Sequence, residues 1–139
     1  MNQLQVSYKF KIRFSEIDAM WVVWHGAYAK YFEDAREAFG QKYGLGYQQI
    51  QDNGYYAPIV DLTFHYRKPI RYDMTPVMTI TYRPTEAAKI IFDYEIREVR
   101  DGDLIAFGQS VQVFMDLNYN LVLLTPPFYE QWKKELVKV

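Results

Sequence analysis

The 139 residues include 16 basic and 17 acidic side chains, a formal charge of −1, and no cysteine. That excludes disulfide frameworks, thiolate nucleophiles and cysteine-ligated metals, and the even charge balance argues against a nucleic-acid footprint. Hydrophobic residues at 50% and charged residues at 24% describe a globular chain, with the length of one domain spanning residues 1–139.

The longest apolar run, Ala19–Trp24, falls far short of the ~20 residues that span a bilayer. The opening segment has no apolar stretch of the signal-peptide kind. A soluble, cytoplasmic protein with no membrane partner is the expectation. Aromatic residues reach 18%, more than a small core readily absorbs. A large interface or an apolar ligand pocket is therefore expected as well.

Residues 6–14 alternate strictly, Val6, Tyr8, Phe10, Ile12 and Phe14 against Ser7, Lys9, Lys11 and Arg13, which predicts a half-buried strand. Over 26–43 the period changes. Tyr28, Tyr31, Phe32, Ala35 and Phe39 recur at steps of three and four, an amphipathic helix with Gly44 as its stop. The helix start, His25-Gly26, offers no side-chain cap, so its first amides are left for another partner. Residues 45–56 read as a connector. Strands follow over Ile59–Tyr66, Val77–Arg83 and Ile90–Ile96. A hairpin turn at Asp101-Gly102 leads into a long strand, Leu104–Met115, with Ile105, Phe107, Val111 and Val113 on one side. A short helical piece, Tyr129–Leu136, ends the chain. The pattern predicts an α+β fold, a five-stranded antiparallel sheet curled around one long helix.

The stretch Arg13–Arg36 is the most informative. Asp18 follows a strand and precedes bulky apolar residues, a setting where desolvation makes a carboxylate a better base. A helix N-terminus with free amides binds an anion or a developing oxyanion. Together they form a kit for acyl transfer to water. An Asp after a strand is also a common turn former, and a His before a helix a common surface residue, so the residues alone leave both roles open. His25 and His65 are the only histidines, forty residues apart. No metal site is expected.

This stretch resembles the signature of hotdog-fold acyl-CoA thioesterases of the 4-hydroxybenzoyl-CoA thioesterase family. The matching residues are Arg13-Phe14, Glu16-Ile17-Asp18-Ala19, Val22-Val23-Trp24-His25, Tyr28 and Phe32-Glu33-Asp34-Ala35-Arg36, with Tyr66-Arg67-Lys68-Pro69 later in the chain. The resemblance implies a hotdog fold and hydrolysis of an acyl-CoA to free acid and coenzyme A, with water as co-substrate and no cofactor. It makes Asp18 the catalytic carboxylate, as nucleophile or general base, and the His25 backbone amide the oxyanion donor. Trp24, Tyr28, Pro58, Ile59 and Val60 would line the acyl pocket, the last three reaching a neighbouring subunit's catalytic loop. Arg67, Lys68 and Arg71 would bind the coenzyme A phosphates, with a solvated strand end as the plainer reading. A homodimer pairing sheets edge to edge, or a homotetramer, is expected. Trp21 stands where the family usually has Gly, and Ala27 where it usually has Asn. Trp21, Trp24 and Tyr28 would crowd the pocket and favour short, medium or aromatic acyl groups. An acyl-carrier-protein thioesterase and a non-catalytic acyl-binding module are the alternatives.

Overall fold

A computed structural model describes residues 3–137. In chain order it comprises β1 (Gln5–Lys9), a single 3-10 turn (Phe14–Glu16), α1 (Ala27–Tyr43), α2 (Tyr47–Asp52) and β2 (Tyr55–Tyr56). There follow β3 (Ile59–Tyr66), β4 (Pro76–Arg83), β5 (Lys89–Glu98), β6 (Leu104–Asp116), β7 (Leu121–Val122) and α3 (Pro127–Leu136). All strand pairings are antiparallel. The five longer strands lie in the order β1-β4-β5-β6-β3, and β2 and β7 both pair with the far end of β6.

The sheet therefore has seven strands, not the five expected. The two additional strands are two residues each, too short to show any alternation in sequence. The first strand also ends early, at Lys9 rather than residue 14. Its partner β4 begins at Pro76, which has no N–H to continue the ladder. Within the expected connector, Tyr47–Asp52 closes a short helix.

Helix α1 spans 17 residues and buries the expected stripe of Tyr28, Tyr31, Phe32, Ala35 and Phe39. Gly44 ends it at φ 76°, its N–H donating to the Gly40 carbonyl. The sheet face beneath the helix is shaped by β6. There Ala106, Gly108, Ser110, Gln112 and Phe114 are buried, while Phe107, Val111 and Val113 are half-buried on the opposite face. The apolar residues expected to share a side do so, but Ile105 alone of them is buried. Small residues take the helix side because the helix needs the room. A Cβ on Gly108 would lie 2.1 Å from the Thr63 carbonyl and 2.8 Å from the Phe32 ring.

Phe32 stacks on Tyr94 at 3.9 Å and 5°. The Tyr94 hydroxyl shares a hydrogen bond with Ser110 Oγ at 2.6 Å and accepts one from the Arg36 guanidinium at 3.0 Å. Gly108→Ala is expected to cost about 1–3 kcal/mol, the usual range for an over-packed core. Urea unfolding of the variant beside the wild type checks this.

Candidate active site

The segment between the 3-10 turn and α1 folds into a tight hairpin. Asp18 N–H donates to the Val22 carbonyl at 2.9 Å, and Trp24 N–H donates to the Glu16 carbonyl at 3.0 Å. Ile17 and Val23 pair between them. The chain after β3 adds a third strand, with Val23 N–H on the Ile70 carbonyl at 2.9 Å and Val22 bridged to Arg71. The period-two alternation of this patch puts Glu16, Asp18, Val22 and Trp24 on one face.

The turn at the tip starts from Asp18. Trp21 N–H donates to the Asp18 carbonyl, and Met20 N–H donates to Asp18 Oδ1 at 2.8 Å. The turn-forming role of Asp18 is thus realised by one carboxylate oxygen. Oδ2 has no hydrogen-bond partner among the described residues and stays available. Trp21 closes the turn at φ 63°, in the left-handed region. A side chain there costs roughly 1–2 kcal/mol relative to glycine.

Glu16 behaves differently. It is buried, and its Oε1 accepts from the Arg13 N–H at 2.9 Å and from the Tyr31 hydroxyl at 2.7 Å. Its Oε2 lies 3.3 Å from Lys30 Nζ. Burial by itself raises its pKa, but the Arg13 amide, Tyr31 and Lys30 outweigh that and hold the carboxyl below its ordinary value. Burial and the Glu16 charge push the Tyr31 hydroxyl the other way, well upward. Glu16 thereby ties the hairpin to the first two turns of α1. The sequence reading gave it no role, because its burial depends on Tyr31 fifteen residues on.

At the start of α1, Gly26 is the N-cap residue and no side chain caps the helix. Among the described residues neither the His25 nor the Gly26 amide has an acceptor. The Trp24 indole lies over Gly26, where a Cβ would fall 2.1 Å from the ring. Trp24 and His25 meet edge to face at 5.6 Å. Trp24 thus stands on the face that carries Asp18 and over the uncapped helix start.

His25 and Tyr28 are brought together with Arg67 and Lys68. With Val23, Tyr66 and Pro69 they line an open cleft of 290 Å³. Tyr66 packs edge to face on Tyr28 at 4.8 Å, and burial pushes the Tyr28 hydroxyl up to about 12. Lys68 pairs with Asp103 at 2.6 Å, and this hydrogen bond raises its pKa. Arg71 pairs with Asp73 at 3.3 Å. Of the three expected phosphate ligands, only Arg67 lacks a side-chain partner among the described residues. Pro58, Ile59 and Val60 are not brought to this cleft. They lie at the other end of β3, roughly 20 Å away at about 3.3 Å per residue, with Val60 59% exposed beside a bulge. Trp21 also points elsewhere, its ring 6.2 Å from Phe14.

A wider cleft of 570 Å³ opens on the β1 side, lined by Tyr8, Lys11, Arg13, Phe14, Glu16, Tyr31, Asp34 and Tyr72 among others. None of the expected site residues lines it. Among the described residues, no three His, Asp or Glu side chains gather as metal ligands, and no helix is long and apolar enough to cross a membrane.

The lowered pKa of Glu16 fixes the sign of a pH effect. Its stabilisation is complete above the unfolded value of about 4.3 and is lost as pH falls through the lower folded value. Glu16→Gln is expected to lose about 1.5–3 kcal/mol at pH 7, the range for a hydrogen bond to a charged group. That deficit narrows as the pH is taken below 4, and denaturant unfolding at the two pH values measures it.

The profile of the thioesterase-like superfamily matches residues 12–133. YneP of Bacillus subtilis (strain 168), a protein named as a candidate acyl-CoA thioesterase, is 30% identical over 88 residues, 63% of this chain and 64% of YneP. The chloroplastic acyl-acyl carrier protein thioesterase ATL3 of Arabidopsis thaliana is 27% identical over 114 residues, 82% of this chain and 60% of ATL3. The matched region thus spans less than two thirds of the length of either curated relative. Among solved structures, the DHNA-CoA thioesterase of Staphylococcus aureus superposes with a TM-score of 0.83 at 24% identity, covering 96% of this chain and 91% of that one. The fold is the hotdog thioesterase fold, and the chain belongs to the thioesterase-like superfamily.

Proposed function

We propose that this chain hydrolyses an acyl-CoA thioester to a free carboxylic acid and coenzyme A. The observation that carries this reading is the hairpin face shared by Asp18 and Trp24, set against the uncapped start of α1. The thioester carbonyl oxygen points at the His25 backbone amide, where the helix dipole adds to the hydrogen bond. One such donor is worth about 3 kcal/mol to the transition state. Asp18 Oδ2 then acts in one of two ways. As nucleophile it adds to the carbonyl carbon and expels the coenzyme A thiolate, leaving a mixed anhydride that water opens. As general base it takes a proton from water, the hydroxide adds, and the thiolate leaves. Water is the second substrate and no organic cofactor takes part. Trp24 and Tyr28 flank the acyl group, and Arg67, with Lys68 and Arg71 once released from Asp103 and Asp73, draws the phosphates.

A second copy completes the pocket in this reading. Among the described residues strand β3 pairs only with β6, so its other edge is open. Two copies joined antiparallel along β3 about a two-fold axis set Pro58, Ile59 and Val60 of one beside the Tyr66–Arg67 end of the other. Sedimentation at micromolar concentration is expected to give a homodimer or a homotetramer built from it. A strict monomer overturns this part of the proposal.

One comparison favours a second substrate class, since ATL3 is named for carrier-protein thioesters. Thiol release from a panel of acyl-CoAs, with matched acyl-carrier-protein substrates beside them, separates the two. Wild type is expected to turn over some acyl-CoA, and Asp18→Asn to lose about 100-fold or more, as for loss of a key acid–base group. A wild type inert on both substrate sets leaves the fold as an acyl-binding module, and a variant equal to an active wild type takes the catalytic role from Asp18.

A further inference from the structure

Among the described residues four polar or charged side chains are buried, Glu16, Arg36, Ser110 and Gln112. Glu16 has its cation in Lys30. The other three gather between the middle of α1 and the sheet. Arg36 Nη1 donates to the Tyr94 hydroxyl at 3.0 Å, and that hydroxyl shares a hydrogen bond with Ser110 Oγ. No carboxylate among the described residues forms an ion pair with Arg36. Glu37, next along the helix, is exposed, and its Oε1 lies 3.7 Å from where a Cβ on Gly46 would fall. Burial works against the Arg36 charge, but the Tyr94 and Tyr47 hydroxyls outweigh it and hold the pKa above its ordinary value. The guanidinium is therefore a buried, permanent cation whose hydrogen-bond partners are neutral. Such a charge is costly unless an opposite one joins it.

Nε is the unmatched end of that side chain. The residue is 8% exposed, and Nε is wholly buried with no acceptor among the described residues. Arg36 lines a cavity of 10 Å³ with Gly46, Tyr47, Ile50, Phe92 and Gln112. That is about the space of one sphere the size of a water. Tyr47 alone of the lining is exposed and so stands at its mouth. Gln112 donates one amide N–H to the Ala57 carbonyl at 2.8 Å and keeps a second. The lining offers donors and a positive charge, and it contains no carboxylate. A monatomic anion answers both needs at once, accepting from Nε and neutralising the guanidinium. A water answers only the first.

We propose that Arg36 and Gln112 hold a single halide, chloride or its like, in this cavity. The lining comes from α1, α2, β5 and β6, so the ion ties both helices to the sheet at one point. The space is too small for sulfate, phosphate or a carboxylate. Arg36 lies eight residues beyond Tyr28, about 12 Å along α1 at 1.5 Å per residue. The site is therefore separate from the cleft at the start of the helix. The ion acts on the stability of the fold, and the inference stands apart from the thioester reading.

Urea unfolding at constant ionic strength, with potassium chloride exchanged for potassium gluconate, tests the site in wild type and Arg36→Met. Once chloride exceeds its dissociation constant, each tenfold rise is expected to raise the wild-type ratio of folded to unfolded chain about tenfold. Bromide is expected to replace chloride, and gluconate is not. Arg36→Met is expected to be indifferent to the exchange. A wild type equally stable in both salts, or a variant that responds as the wild type does, overturns the site. Should Arg36→Met fail to fold, a wild-type crystal soaked in bromide decides by itself. An anomalous peak in contact with Arg36 Nε is the expected result. Water density there without anomalous signal refutes the halide.

Discussion

Phe32 lies flat on Tyr94 and over Gly108, and the position of α1 follows from that contact. The ring is fully buried and 3.9 Å from its partner. β6 leaves it room only by giving up side-chain volume, with Ala106, Gly108 and Ser110 in succession beneath the helix. Each large side chain of the stripe contributes about 1.5–3 kcal/mol on burial, and Phe32 is held both by the stacked Tyr94 ring and by the close approach of Gly108. It therefore sets how far α1 slides along the sheet. Tyr28 lies one turn earlier and meets Tyr66 at the end of β3, so the uncapped helix start projects where the chain after β3 returns as a third strand to the hairpin. The site geometry is a consequence of a packing decision made at the middle of the helix.

Two carboxylates two residues apart illustrate how environment assigns roles. Glu16 and Asp18 share a face of one hairpin. Glu16 is saturated, with three donors on two oxygens and a pKa held down by them. A carboxylate so satisfied is a poor base and a poor nucleophile, since reaction would strip it of its donors. Asp18 is anchored through one oxygen and keeps the other open. The first group fixes the hairpin against α1, and the second is free to react because the first removes the need for it to hold anything.

Much of this was legible in the sequence, and the exceptions share a cause. The helix over 26–43 and the strand over 59–66 were readable because their periods are local and long. The hairpin turn at Asp101-Gly102 declared itself by residue type. The end of β1 at Lys9 was not, because it is decided by Pro76 on another strand. The faces of β6 were misleading, because the side richer in large apolar residues points away from the helix and the helix side is made of small ones. Asp18, His25, Tyr28, Arg67 and Lys68 were singled out from the motif, but that His25 and Tyr28 share a cleft with Arg67 and Lys68 was not read from it. Glu16 was passed over because its burial depends on Tyr31. Pro58, Ile59 and Val60 were expected to reach a neighbouring subunit's catalytic loop, and within one chain they lie at the other end of β3 from the cleft.

The aromatic excess, noted first as composition, acquires its meaning from where the rings fall. Seven aromatic residues remain exposed: Phe14, Trp21, Trp24, Tyr47, Tyr66, Tyr72 and Tyr119. Five of them lie in the hairpin and its 3-10 turn, or on the chain from the end of β3 that bridges to it. Exposed rings scattered singly carry no message, whereas grouped rings mark a surface that expects company. Here the grouping follows the hairpin on both flanks, Trp24 and Tyr66 on the helix side, Phe14, Trp21 and Tyr72 on the β1 side. A core too small for its aromatics would have shed them evenly over the surface. Concentrating them around the turn that carries Asp18, at a backbone cost in Trp21, sets this surface apart from an even scatter.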